Sequence, residues 1–170
     1  KSRAKFFDGL TNTNDPIDFL HSINQQLILH SVDQYSIVRT HQLLTKTNQF
    51  NLTFAKPRQT ELLAFSKTPL SISFLAELND SYGNHGIVAT VLSEVAGKDA
   101  LLGNLVLSCR VIGRHLEEWL LGELKRRLID HDIQQLYACY VTGPRNEMAK
   151  TLLPSLGFEQ VSDEHQPRLV

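Results

Sequence analysis

At 170 residues the chain is long enough for one domain with a sizeable core, and 42% hydrophobic with 21% charged residues is ordinary for a globular protein. A formal net charge of −1 excludes the broad basic field that nucleic-acid binding needs, and no apolar run approaches the ~20 residues that span a bilayer. Two cysteines are too few for a disulfide framework, which points to a reducing, cytoplasmic setting with free thiols.

The chain begins at Lys1 without a methionine and reads as a piece of something longer. Phe6, Phe7 and Leu10 are the only sizeable apolar residues up to Asp15, and Asn12, Asn14, Asp15 and Pro16 mark a linker or the tail of a preceding domain. A short helix is expected over Asp18–Ile23, then a strand over Gln26–Val32. Asp33 caps a helix running to about Thr47, with Ile37, His41 and Leu44 on one face. The loop Thr45–Thr53 is rich in amides and hydroxyls around Phe50, and either closes the helix end or lines a polar pocket.

A second short helix, Gln59–Ser66, ends before Thr68 and Pro69. Ser71–Leu78 alternates, placing Ile72, Phe74, Ala76 and Leu78 on one strand face. Asn79–Gly86 is a turn, Ile87–Val95 alternates again, and Ala96–Asp99 turns the chain once more. Leu105–Ile112 is apolar except for Ser108, Cys109 and Arg110, and reads as a buried strand with the arginine at its mouth. Leu116, Leu120, Leu124 and Leu128 recur every fourth residue, with Trp119, Leu121 and Ile129 widening the stripe of an amphipathic helix. Gln135–Val141 is a further strand, so Cys109 and Cys139 are both expected to be buried. Glu147–Leu156 is a helix interrupted by Pro154, and Phe158–Val161 a last strand. The order, β-α-α-β-β-β-α-β-α-β, predicts an α/β (α+β) domain with a mixed, mostly antiparallel sheet flanked by helices.

Between the strand and the leucine-striped helix lies Arg110-Val-Ile-Gly113-Arg114-His115. A glycine at a strand-to-helix turn lets the backbone approach a ligand, and the free N–H groups of the first helical turn favour an anion. This segment resembles the pyrophosphate loop of the GNAT acyl-CoA N-acyltransferase fold, Arg/Gln-x-x-Gly-x-Gly/Ala, with His115 where that pattern has Gly or Ala. Asn146-Glu-Met-Ala149, followed by Gly157-Phe158, resembles the closing helix of the same fold, with Leu153 where a tyrosine often serves as general acid. The resemblance implies a GNAT-like fold that binds acetyl-CoA, CoA or the phosphopantetheine of an acyl carrier protein. It assigns that binding to Leu107, Cys109, Arg110, Val111, Gly113, Arg114, His115 and Asn146.

Three segments, Thr47–Thr53, Tyr82–Val88 and Leu107–Arg114, together are similar to the C-terminal acyltransferase-like half of FkbH-like proteins of polyketide biosynthesis. That likeness runs from about Gln25 to Val161. It implies a domain over residues 25–170, preceded by residues 1–24 as the tail of an N-terminal phosphatase-like domain of the same polypeptide. The implied activity is transfer of a glyceryl or related acyl unit to an acyl carrier protein.

Such transfer needs a cradle for pantetheine, an oxyanion stabiliser and usually a base. Asn146 either bonds pantetheine or caps the last helix. Cys109 is either a nucleophile that accepts the acyl group or a small core residue. His85, in Gly-Asn-His-Gly, is either the general base or a turn residue. Asn48, Gln49 and Asn51 either recognise the hydroxyls of a glyceryl-like group or cap their own loop. The remaining histidines (His21, His30, His41, His131 and His165) lack metal-ligand spacing, and no metal is expected. Two alternatives to assisted transfer stand beside it: a non-catalytic module that docks the carrier protein, and a small-molecule N-acetyltransferase.

Overall fold

A five-stranded sheet runs through the centre of the computed structural model, which describes residues 2–13, 15–143 and 145–161. Asn14, Pro144 and the tail from residue 162, including His165, lie outside the described residues. In chain order the elements are α1 (Ser2–Thr11), α2 (Pro16–Ser22), β1 (Gln26–His30), α3 (Ile37–Lys46) and α4 (Gln59–Ser66). Then come β2 (Ser71–Asp80), β3 (Gly83–Ala96), β4 (Asp99–Leu107), α5 (Leu116–Asp130), β5 (Gln135–Ala138) and α6 (Glu147–Ser155). The strands stand in sequence order, antiparallel from β1 to β4, with β5 parallel to β4.

Alternation along β2 sends side chains into two separate cores. Ile72, Phe74, Ala76 and Leu78 face the larger one, which α5 fills with Leu116, Leu120, Leu121, Leu124 and Leu128, and α6 with Ala149. Leu75, with Leu92 and Val106, faces the other, covered by Ile37, Leu43 and Leu44 of α3 and Leu62 of α4. Each buried leucine contributes roughly 1.5–3 kcal/mol by leaving water, so the five of α5 are a principal anchor of that face of the sheet.

The feature that positions the site is a parting of strands. β5 pairs with β4 only from Asp99 to Leu102. Just beyond, the register of β3 and β4 slips, leaving Gly103 as an extra residue on β4. A bulge bends its strand, and from there β4 and the chain after β5 diverge.

Several boundaries differ from those expected of the sequence. Residues 2–11 form a helix rather than a linker, and Phe6 on that helix is fully buried. The helix expected from Asp33 starts at Ile37, because the Asp33 carboxylate accepts from the N–H groups of Tyr35 and Ser36, both at 2.9 Å, and holds a turn first. The strand read as Leu105–Ile112 is β4, which starts at Asp99 and stops at Leu107. The apolar run continues only because Val111 is buried inside the following turn. Cys109 and Cys139 are therefore exposed, not buried. Trp119 and Ile129 do not widen the α5 stripe: they are 43% and 72% exposed. β5 ends at Ala138, and Phe158–Val161 is irregular.

Candidate functional site

On the α3 face, at the end of β4, lies an open cavity of about 340 Å³. One face of α3 lines it with Arg39, Gln42, Leu43 and Lys46, and the following loop adds Thr47, Asn48 and Gln49. The turn after β4 contributes Ser108, Cys109 and Arg110, and Arg145 closes the wall. Ser108 fixes this turn: its N–H donates to Val88 O at 2.7 Å, and its hydroxyl accepts from Arg110 Nε at 3.2 Å. Arg39 reaches across to β3, donating from Nε and Nη2 to Ile87 O at 3.0 and 2.9 Å. Burial, and then the charge of Arg110, hold the Arg39 guanidinium below the usual arginine range.

The opening between β4 and β5 is filled by the chain itself. Phe50–Thr53 runs into it as a strap: Asn51 bridges Val106 in antiparallel fashion, and Leu107 N–H donates to Phe50 O at 3.3 Å. On the other side Val141 N–H donates to Leu52 O at 2.8 Å. Phe50, Asn51 and Leu52 are buried to 2%, 0% and 0% exposure. The Asn51 amide closes α3, donating to Leu44 O and Thr47 O, and its oxygen accepts from the N–H groups of Thr53 and Phe54. Asn146 locks the strap from α6. Its Nδ2 donates to Asn51 O at 3.0 Å and Val141 O at 2.9 Å, while Oδ1 accepts from Gly143 N at 2.9 Å and Tyr140 OH at 3.2 Å. Both hydrogens and both lone pairs of that amide are engaged.

The turn from Ser108 to His115 is less suited to an anion than its sequence suggests. Gly113 and His115 have positive φ, 86° and 56°, so the chain enters α5 through a left-handed residue. Glu117 and Glu118 stand in the first turn of α5, where their charge opposes an anion. Arg114 points inward and is 1% exposed. It pairs with Asp80, bonds Gln25 Oε1 at 3.3 Å, and lays its guanidinium 4.0 Å from the centre of the Phe6 ring. His85 joins the same network, with Nε2 2.9 Å from Asp80 Oδ1.

Of the residues singled out in the sequence, Asn48, Gln49, Cys109 and Arg110 converge on one cavity. Leu107, Val111, Arg114, Asn51 and Asn146 are buried and serve the fold, through core packing, the Asp80 network or the strap. Asn146 stands at the N-cap position of α6, yet its side chain caps nothing there. His85 is held by Asp80 and is not on the cavity wall, while Gly113 and His115 are exposed on the far turn. Leu153, in the tyrosine's place, packs against the larger core. Arg39, Lys46 and Arg145 were missed. Arg39 and Lys46 are isolated charges about two turns apart on α3, and Arg145 stands alone before α6, so no local pattern singles them out. Among the described residues no group of three or more His, Cys, Asp or Glu side chains is placed to hold a metal, and no helix is long and apolar enough to cross a membrane.

No protein-family model matches the chain, and no curated protein matches it in sequence. Solved structures do match. The ribosomal-protein-S18-alanine N-acetyltransferase of Escherichia coli superposes with a TM-score of 0.62 at 16% identity, over 81% of this chain and 80% of that one. A ribosomal-protein-alanine N-acetyltransferase from Brucella melitensis superposes with a TM-score of 0.61 at 10% identity, over 85% and 99% of the two chains. An aminoglycoside N-acetyltransferase in complex with CoA gives 0.58 at 13% identity, over 86% and 95%. The chain thus has a GNAT-like α/β fold. A CoA arm laid between β4 and β5 does not fit these residues: the strap fills the opening, Leu107 N–H is bonded to Phe50 O, and the Asn146 amide is fully engaged.

Proposed function

We propose that the domain is an acyltransferase working through a thiol on its own chain. Cys109 receives a glyceryl or related acyl group and passes it to the phosphopantetheine thiol of an acyl carrier protein, the polyketide role implied by the FkbH-like resemblance. The observation that carries this reading is the Cys109 thiol, on an exposed residue of a cavity wall that Asn48, Gln49 and Arg110 also line. The GNAT-like fold supports it as a scaffold, and a cytoplasmic, reducing setting suits the free thiol. The Cys109 thiolate attacks the acyl carbon, forms a thioester and expels the donor's leaving group with its electron pair. The carrier thiolate then attacks the acyl-Cys109 thioester, and Cys109 departs as thiolate. Asn48 and Gln49 offer amides to the hydroxyls of a glyceryl group, and a phosphatase-like domain preceding residue 25 is the partner that supplies the donor. The test is intact-protein mass spectrometry after incubation with an acetyl or glyceryl thioester of N-acetylcysteamine. One acyl group should appear on Cys109, vanish in Cys109→Ser, and be discharged by added pantetheine. An adduct on Cys139, or none at all, refutes the role of Cys109.

One observation favours a second reading, a module that docks the carrier protein without catalysing transfer. His85 is bonded to Asp80 and off the cavity wall, so among the described residues no histidine lines the cavity with Cys109. In that case Cys109→Ser leaves transfer by the full-length protein unchanged.

A further inference from the structure

We infer that the cavity beside Cys109 is a binding site for a phosphate group, placed on the α3 face of the sheet and not at the N-terminus of α5. The inference rests on the reading of this cavity as the acyl-transfer site and names the ligand chemistry it takes. Arg39, Lys46, Arg110 and Arg145 converge on the cavity, and among the described residues no carboxylate lines it. The described acceptors of Arg39 are neutral: the Ile87 carbonyl and the Gln42 amide oxygen. Arg110 is steered by the Ser108 hydroxyl, also neutral. Arginines held by neutral partners keep their full charge, and several of them around one concave wall repel one another until an anion arrives. Burial lowers the basicity of Arg39 first, and the neighbouring charge of Arg110 lowers it further.

The turn into α5 has the opposite character. Its one buried cation, Arg114, is neutralised by Asp80, and Glu117 and Glu118 put negative charge on the first helical turn. The strap separates the two places, filling the opening through which an arm would pass from one face of the sheet to the other. A phosphorylated ligand must therefore enter from the α3 side, where its phosphate meets the cations and its other end lies beside Cys109. The phosphate is carried either by the thiol arm or by the acyl group.

Isothermal titration of the domain at low ionic strength distinguishes these sources and tests the site. The probes are 4′-phosphopantetheine, pantetheine, glycerol 3-phosphate and inorganic phosphate. Lys46 and Arg145 are exposed, so the double variant Lys46→Gln, Arg145→Gln keeps the fold. It should bind the preferred phosphorylated probe about tenfold or more weakly, the size expected for losing charge-assisted hydrogen bonds. Glu118→Gln should bind it as the natural sequence does, and inorganic phosphate should compete. Preference for 4′-phosphopantetheine assigns the phosphate to the arm, and preference for glycerol 3-phosphate assigns it to the acyl group. Undiminished affinity in the double variant, tighter binding in Glu118→Gln, affinity for both 4′-phosphopantetheine and glycerol 3-phosphate no greater than for pantetheine, or no binding of any probe overturns the inference. Loss of the Cys109 adduct with phosphate binding intact instead refutes the transfer reading alone.

Discussion

Asp80 serves three partners at once. Its carboxylate pairs with Arg114, accepts from Tyr82 N–H at 2.8 Å and lies 2.9 Å from His85 Nε2, with no part of the side chain exposed. Burial by itself would raise its pKa, but the hydrogen bonds from His85, Arg114 and Tyr82 outweigh it and hold the carboxyl below its usual range. A carboxyl depressed in the folded state stabilises fully above the ordinary carboxylate range and loses that contribution as pH falls through its native value. Asp80→Asn leaves Arg114 buried and unpaired, and should cost about 3–5 kcal/mol in urea unfolding near neutral pH. The gap should narrow steadily in acid, as the natural carboxylate protonates too. A gap independent of pH contradicts the ion pair. None of this was legible in the sequence. Arg114 and His85 each sit inside a motif with a functional meaning, and only the folded chain brings Asp80, Gln25 and Phe6 to them.

At the scale of elements, the strap decides how the sheet can be used. Phe50–Thr53 supplies β4 with the partner that β5 gives up beyond Ala138, and Asn146 ties it to the chain on both sides. Asn146→Ala should loosen it locally, because the carbonyl of the buried Asn51 loses its donor, costing ~1–3 kcal/mol, and the tie to Val141 O is lost with it. Hydrogen exchange should quicken at the amides of Leu107 and Val141 while those of the β2–β3 pairing stay slow. Uniform change, or none, contradicts a local lock. The sequence offered half of this. Amides closing the α3 helix end were foreseen as one role of the loop, and Asn51 fills it. That the same loop enters the sheet was not visible, since an isolated bridge has no alternating run to announce it. Helix α5 and the β2–β3–β4 meander were legible because periodic burial imposes periodic sequence. The end of β4 was misplaced because Val111 is buried without being on a strand.

Across the whole molecule the element order was enough to indicate the architecture, since sequential antiparallel strands and one parallel crossover leave few topologies. The charged cavity was hidden by the same arithmetic that described the chain. A net charge of −1 is a sum over 170 residues, and it says nothing of four cations gathered from α3, the turn after β4 and the segment before α6. The central claim is that ligands use this cavity and leave the opening between β4 and β5 closed. Hydrogen exchange with and without 4′-phosphopantetheine measures both places at once. Slower exchange is predicted over residues 42–49 and 108–110, with the Leu107 and Val141 amides as protected as before. Unchanged exchange around the cavity, together with faster exchange at Leu107 and Val141 as the strap gives way to the ligand, would contradict it.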